Sequence, residues 1–213
     1  MLADQQTDRH YRLTRDDWIE AGLDLLIESG VDAVQITVLS RKLGVTRGSF
    51  YWHFESREAL LDALIHRWRV RNTNVMVEAV SDAETLDDGI LALFAVWTDH
   101  RRFDPDLDQA IRDWARYDDA LRAKVKVEDD ARVAAIAEFF VRHGYDQPEA
   151  FIRARVICFT QITYYALGVA DEESNAQRMG YLEAYFRCFT GRDIHPGTAE
   201  AYRDILSRGE ARR

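Results

Sequence analysis

The chain has 213 residues, 47% of them hydrophobic and 31% charged, which suits a globular protein with a sizeable core and excludes a disordered, collagen-like or membrane-embedded chain. Lys and Arg number 28 against 37 Asp and Glu; the formal charge of -9, taken alone, argues against a nucleic-acid partner. Only three prolines and eleven glycines interrupt the chain, too few for the frequent turns of an all-β protein, so an all-α fold is expected.

In chain order, Thr14 followed by Asp17 reads as a capping box. Trp18, Ile19, Gly22, Leu23, Leu25 and Leu26 then recur at helical spacing until Ser29 and Gly30 close the first helix. A short second helix is expected over 36–43, ended by Gly44, and Thr46 caps a third over 47–53. Ser56 caps a longer helix with Leu60, Leu61, Leu64, Ile65 and Trp68 on one face, running past Arg71. Helices follow over 86–100, 106–117, 120–143, 149–170, 175–190 and 198–207. Pro105, Pro148 and Pro196 fall where a first helical residue belongs, and Gly144 and Gly191 where a helix should end. With no repeat, low-complexity tract or flexible linker, the domain boundary must run through the helix that starts at Arg57.

Cys158 and Cys188 lack C-x-x-C spacing and sit among apolar helical residues, so both are expected to be reduced core residues. Residues 1–13 lack the apolar stretch of a secretory signal, and the longest apolar run, 156–169, is too short to cross a bilayer. A cytoplasmic protein is expected. The six histidines have no His-x-x-x-His or His-Glu-x-x-His spacing, and no glycine-rich phosphate loop is present. Acidic groups such as Asp118-Asp119 and Glu128-Asp129-Asp130 read as helix starts and solvated faces. No catalytic residue, metal site or cofactor is assigned, and the chain is not expected to be an enzyme.

Two short helices joined by Gly44, Val45 and Thr46, after a longer packing helix, are the parts of a helix-turn-helix DNA reader. Leu39, Leu43 and Val45 can fill the wedge between them. Phe50 and Phe54 tether the third helix, and Arg47, Gly48, Ser49, Tyr51, Trp52 and His53 are left to face outward. Gly48 lowers helix propensity in a short helix, which close approach to a partner would compensate.

The run Leu39-Ser40-Arg41-Lys42-Leu43-Gly44-Val45-Thr46-Arg47-Gly48-Ser49-Phe50-Tyr51-Trp52-His53-Phe54, followed by Arg57-Glu58-Ala59-Leu60-Leu61-Asp62-Ala63-Leu64, resembles the signature of the tetracycline-repressor (TetR) family. The resemblance covers about residues 12–72. It implies an N-terminal three-helix DNA-binding domain over 12–72 and a helical effector-binding and dimerisation domain over 73–213, about nine to ten helices in all. It further implies a homodimeric regulator, usually a repressor, bound to a palindromic operator and released by a small molecule. Carried over by position, Thr46, Tyr51, His53 and Arg57 would bind phosphates, and Arg47, Ser49 and Trp52 would face base edges or the adjoining backbone. Lys42 is a further backbone candidate. Gln35 and Ile36 depart from the family pattern, where Thr is common, and Thr37 is the substitute contact.

Plainer readings stand beside these. Tyr51 and Trp52 could be core aromatics, His53 a cation at a helix C-terminus, and Arg9, Arg12 and Arg15 a solvated tail rather than extra DNA contacts. The charge, however, is unevenly placed. Residues 1–71 carry ten basic and eleven acidic groups, a net of -1, and the remainder carries -8. Between Ser40 and Arg57 four basic residues face one acid, Glu55, so the presumed reading face is locally positive.

In the remaining two thirds, 156–169 is apolar nearly all round a helix and needs cover on most sides. A partner subunit would supply it, with Ile152, Val156, Phe159 and Thr163 on one helix and Tyr181, Leu182, Tyr185, Phe186 and Phe189 on its companion. A central helix in a monomer is the alternative. Phe94, Trp97, Trp114, Tyr117, Phe140, Tyr164 and Tyr165, with Gln161 as a polar anchor, are the stock for a pocket that would take a flat, aromatic effector. Asp113 and Arg116 are further anchors. The alternatives are a dimeric DNA-binding protein whose aromatic core is solid, and a small helical enzyme.

Overall fold

The computed structural model describes residues 13–202; Arg9, Arg12 and the 203–207 end of the last expected helix lie outside them. All regular structure among the described residues is helical. Backbone packing divides the chain into two units between His66 and Arg67.

The first unit is built on α1 (Arg15–Ser29), α2 (Ile36–Lys42), α3 (Arg47–Phe50) and the greater part of α4 (Arg57–Trp68). The capping box forms as the sequence demands: Asp17 N–H donates to Thr14 Oγ1 at 3.3 Å, and Thr14 N–H donates to Asp17 Oδ2 at 2.6 Å. The Thr14 N–H, and then the Thr14 hydroxyl, donate to the charged form of the Asp17 carboxyl and hold it below its ordinary pKa. Trp18, Leu23, Leu26, Leu39, Phe50, Leu60 and Leu64 form the core, with Trp18 edge-on to Phe50 at 5.3 Å and Phe50 stacked on Phe54 at 5.5 Å. Gly44 turns the chain between α2 and α3 at φ +70°, where an L side chain would be strained. Two details differ from expectation. Thr46 occupies the N-cap position of α3 without a side-chain cap bond, and α3 proper is one turn, continued to Phe54 by bonds such as His53 N–H to Phe50 O at 2.9 Å.

In the second unit the helix after Trp68 continues, as expected, but widens into a π-helical turn over Arg69–Asn74 before α5 (Val75–Ser81). Buried polar residues account for the widening. Asn72 Nδ2 donates to Asp104 O at 2.6 Å, and Thr73 Oγ1 accepts from Arg132 Nε at 3.1 Å. Next come α6 (Leu86–Thr98), α7 (Pro105–Ala115), α8 (Asp119–Arg142) and α9 (Gln147–Ala166). The α8 and α9 helices pack along each other; α5 and α7 lie on α8, α6 lies on α5, and a later helix lies on α9. Met76, Val80, Ile90, Leu93, Val96, Phe103, Ile136, Phe139 and Ile157 fill the space between them. Where α6 crosses α8, a Cβ on Gly89 would lie 2.3 Å from Phe139 Cζ, so the crossing requires glycine.

Two of the expected helices are broken. The 149–170 segment ends at Ala166 because Gly168 turns at φ +70°, and a short α10 (Val169–Glu172) follows. The 175–190 segment divides at Gly180 and Tyr181 into α11 (Asn175–Gly180) and α12 (Leu182–Thr190), with a second capping box between Ser174 and Gln177. Helical structure resumes over 196–202. Cys158 is buried, which pushes its thiol up to about 12, but Cys188 is exposed and is not the core residue expected.

A charged network lies inside this unit. Asp108, almost fully buried on α7, accepts from Trp68 Nε1 at 2.7 Å, from Arg132 Nη2 at 3.0 Å and from Arg112 Nε at 2.8 Å. Arg112 reaches on to Asp129 through two bonds of 2.8 and 2.7 Å. Burial pushes the Asp108 carboxyl up, yet Arg132 and Arg112 outweigh it and hold it at about 2.

Candidate functional site

The outward face of α3 and the turn after it are solvent-facing. Trp52 is 84% exposed and Tyr51 60%, whereas Phe50 between α3 and the core is fully buried. The reading of Tyr51 and Trp52 as core aromatics is thereby set aside. Thr37, Thr46, Arg47 and Gly48 are also exposed, and Ser49 and His53 are half-buried, His53 with its ring 6.4 Å from that of Trp18. A Cβ placed on Gly48 would meet nothing closer than Thr46 Oγ1 at 3.6 Å, so the fold itself does not need glycine there.

Two of the expected backbone contacts, Arg57 and Lys42, have partners within the protein as well. Arg57 donates from Nε to Val34 O at 2.6 Å and from Nη2 to Val31 O at 2.7 Å, strapping the turn before α2 to the start of α4. A guanidinium so engaged holds a loop. Lys42 Nζ lies 3.1 Å from Asp24 and 3.9 Å from Glu28 on α1, which draws its charge away from the α3 side. Arg15 places its guanidinium 4.6 Å from the centre of the Phe54 ring, so it packs on the core rather than hanging in a tail.

In the second unit, Phe94, Trp97, Gln161, Tyr164 and Tyr165 come together around a narrow, partly open cavity of about 60 Å³. Trp114, Tyr117 and Phe140 do not join them. Phe140 is fully buried against Phe139 and Tyr145, Tyr117 stands in solvent, and Trp114 is half-buried elsewhere on α7. Asp113 and Arg116 are exposed and pair with each other at 3.5 Å, so Gln161 alone of the expected anchors reaches the cavity. Glu173, Arg178 and Met179 line it without having been expected. They are brought in by the break between α9 and α11, which the glycine at 168 and the Ser174-x-x-Gln177 box could have signalled.

Tyr164 donates its hydroxyl to Glu173 at 2.6 Å, and Tyr165 donates to the Trp97 carbonyl at 2.6 Å. Burial, with the Glu173 bond, raises the Tyr164 hydroxyl, and burial pushes that of Tyr165 up to about 12. Both stay protonated. Arg178 lies 5.5 Å from the Tyr164 ring centre and donates to Ala170 O.

The faces proposed for a partner subunit divide. On α9, Ile152, Val156, Phe159 and Thr163 are exposed at spacings of four, three and four residues, joined by Phe151 and Leu167. On α12, Leu182, Phe186 and Phe189 turn inward and belong to the core, and Tyr185 is half-buried at the cavity wall. Only Tyr181 of that group is exposed. The aromatic spacing of this segment marks an apolar face but not what covers it, and here α6 and α9 cover it.

The model of bacterial regulatory proteins of the tetR family matches residues 19–64. Over 72 residues, 34% of this chain, the chain is 36% identical to the class D tetracycline repressor protein of Escherichia coli, covering 33% of it. The class A repressor from transposon 1721 of Escherichia coli is 42% identical over 64 residues, 30% of either chain. The chain thus spans about a third of the length of these relatives. Solved structures extend the likeness of fold to most of the chain. The reduced form of Escherichia coli NemR aligns with a TM-score of 0.64 at 16% identity over 85% of this chain and 98% of NemR. A TetR-family regulator from Rhodococcus sp. aligns at 0.60 and 20% identity over 83% of this chain and 98% of that one. Residues 19–64 thus match the tetR family of bacterial regulatory proteins, and most of the chain shares the fold of solved regulators such as these.

Proposed function

We propose that the protein is a cytoplasmic, DNA-binding transcriptional regulator, a repressor acting as a homodimer on a palindromic operator and released by a small-molecule effector. The observation that carries this reading is the exposed face of α3, where Tyr51, Trp52 and Arg47 stand in solvent beside a fully buried Phe50. Large aromatics at such exposure mark an interaction surface. Arg47 reads a base edge, guanine by preference because a guanidinium matches its two major-groove acceptors; Ser49 and Trp52 flank it. Thr37, Thr46, Tyr51 and His53 set register on the phosphates. Gly48 lets the backbone approach the groove. Arg57 and Lys42 act from behind, the first by holding the turn before α2 and the second through its pairs with α1.

The exposed α9 stripe of Ile152, Val156, Phe159 and Thr163 supports a two-fold interface in which α9 meets its own copy. Two readers so linked contact half-sites about 34–36 Å apart, one turn of DNA. An effector derepresses only if it prefers the conformer whose readers are out of register. A DNA-binding dimer without an effector is the second reading, favoured because the aromatic cavity around Trp97 and Gln161 holds only about 60 Å³ where small-molecule sites are commonly about 300 Å³ or more.

Selection from a random duplex library by the purified protein tests the proposal. An inverted repeat with half-site centres about 10–11 base pairs apart is expected. Enrichment of no site, or of an unrepeated one, would count against a dimeric reader.

A further inference from the structure

We propose that the cavity of the second unit takes a single-ring aromatic molecule bearing both an acidic oxygen and a hydrogen-bond donor, the chemistry of a hydroxybenzoate. The proposal rests on the reading of this unit as the effector-binding part. Three polar atoms on residues lining the cavity are buried without a hydrogen-bond partner among the described residues: Trp97 Nε1, Gln161 Oε1 and Arg178 Nε. Trp97 and Gln161 are 8% and 5% exposed, so bulk water does not serve them. An unsatisfied buried group destabilises the fold, and a ligand that completes all three recovers that cost on binding.

The chemistry of the three atoms defines the complement. An indole N–H and a guanidinium N–H only donate, and an amide oxygen only accepts. The ligand must therefore present acceptor oxygen to Trp97 and Arg178 and an O–H or N–H to Gln161. The positive charge of Arg178 favours an anionic acceptor. Glu173 stands on the same wall and disfavours a second negative charge. The tyrosine hydroxyls at 164 and 165 already donate to Glu173 and to the Trp97 carbonyl, so neither has a proton left to give a ligand, and both residues offer ring surface. Phe94, Tyr185 and Phe189 add more ring surface, Phe94 stacking on Phe189 at 6.1 Å.

Size limits the ligand to one ring. A cavity of about 150 Å³ accepts benzene, and this one has about 60 Å³, so even one ring must displace part of the wall. Met179, half-buried and unbranched, is the side chain best able to yield. A second ring would have to dislodge the aromatics themselves.

Calorimetric titration of the full chain with 4-hydroxybenzoate, benzoate, cyclohexanecarboxylate and 6-hydroxy-2-naphthoate tests this. The first should bind about tenfold or more tightly than the last two, and about tenfold more tightly than benzoate. Gln161→Leu should abolish the preference for 4-hydroxybenzoate over benzoate, and should raise Tm of the unliganded protein by removing an unsatisfied acceptor. Trp97→Phe should weaken both aromatic acids. Equal binding of the aromatic and alicyclic acids, a preference that survives Gln161→Leu, or no binding of 4-hydroxybenzoate would overturn the proposal. Operator binding by the same wild-type preparation separates the two failures: a protein that selects a DNA site but ignores these probes refutes the ligand class alone, and one that selects no site refutes the regulator.

Discussion

Asp108→Ala should destabilise the second unit by about 3–5 kcal/mol, because it takes from Arg132, almost fully buried, its 3.0 Å partner and leaves only Asp129 at 3.7 Å. The same change removes the acceptor of Trp68 Nε1 and one of the two carboxylates that hold Arg112. Loss of a buried charge's partner outweighs the packing lost with a small side chain, so Asp108→Asn, which keeps the shape, should still cost more than an ordinary surface change. The pH dependence gives an independent check. The Asp108 carboxyl is held at about 2, below its ordinary 3.8, so its contribution is complete above the ordinary value and is lost as pH falls through the folded one. Urea unfolding should therefore show stability falling between about pH 4 and pH 2 in the wild type. In Asp108→Asn that portion of the slope should disappear. An Asp108→Ala variant as stable as wild type at pH 7 would remove the network from the account of this fold.

If α9 meets its own copy as proposed, the paired change Val156→Glu, Phe159→Glu should convert the dimer to a monomer, raising its dissociation constant at least about a hundredfold, since a two-fold axis would bring like charges on α9 towards their own copies. Both side chains are about half exposed, so the isolated fold should tolerate the change within about 1 kcal/mol. Operator affinity should fall with dimerisation, because one half-site is left to bind alone. Sedimentation at micromolar concentration reads the first effect, and titration of the selected operator reads the second. A wild-type monomer, or a variant that stays dimeric, would move the interface off α9.

Much of the first unit is legible because its determinants are local. The Thr14–Asp17 box, the Gly44 turn and the alternation of buried Phe50 and Phe54 with exposed Tyr51 and Trp52 each depend on residues a few positions apart. Arg57 escaped this reasoning because its bonds to Val31 and Val34 cross more than twenty residues. In the second unit, residue type identified candidates but not the direction they face. Five of the eight expected cavity residues converge, whereas Phe140 turns into the core and Tyr117, past the end of α7, into solvent. The inward turn of Leu182, Phe186 and Phe189 follows the same rule. The π turn and its charged network join Thr73, Asp108 and Arg132 across distant segments, which helical periodicity does not encode.

The charge of -9 ceases to be an objection to DNA once it is divided, since residues 1–71 are near neutral and 40–57 are positive. That α3 reads DNA sequence is tested most directly by equilibrium titration of wild type and Arg47→Ala against the selected operator and a scrambled duplex at one salt concentration. A base-edge contact predicts that Arg47→Ala loses about 1–3 kcal/mol on the operator, roughly fivefold to a hundredfold, with little loss on the scrambled duplex. Equal weakening on both duplexes, or on neither, would contradict the assignment of sequence reading to this face.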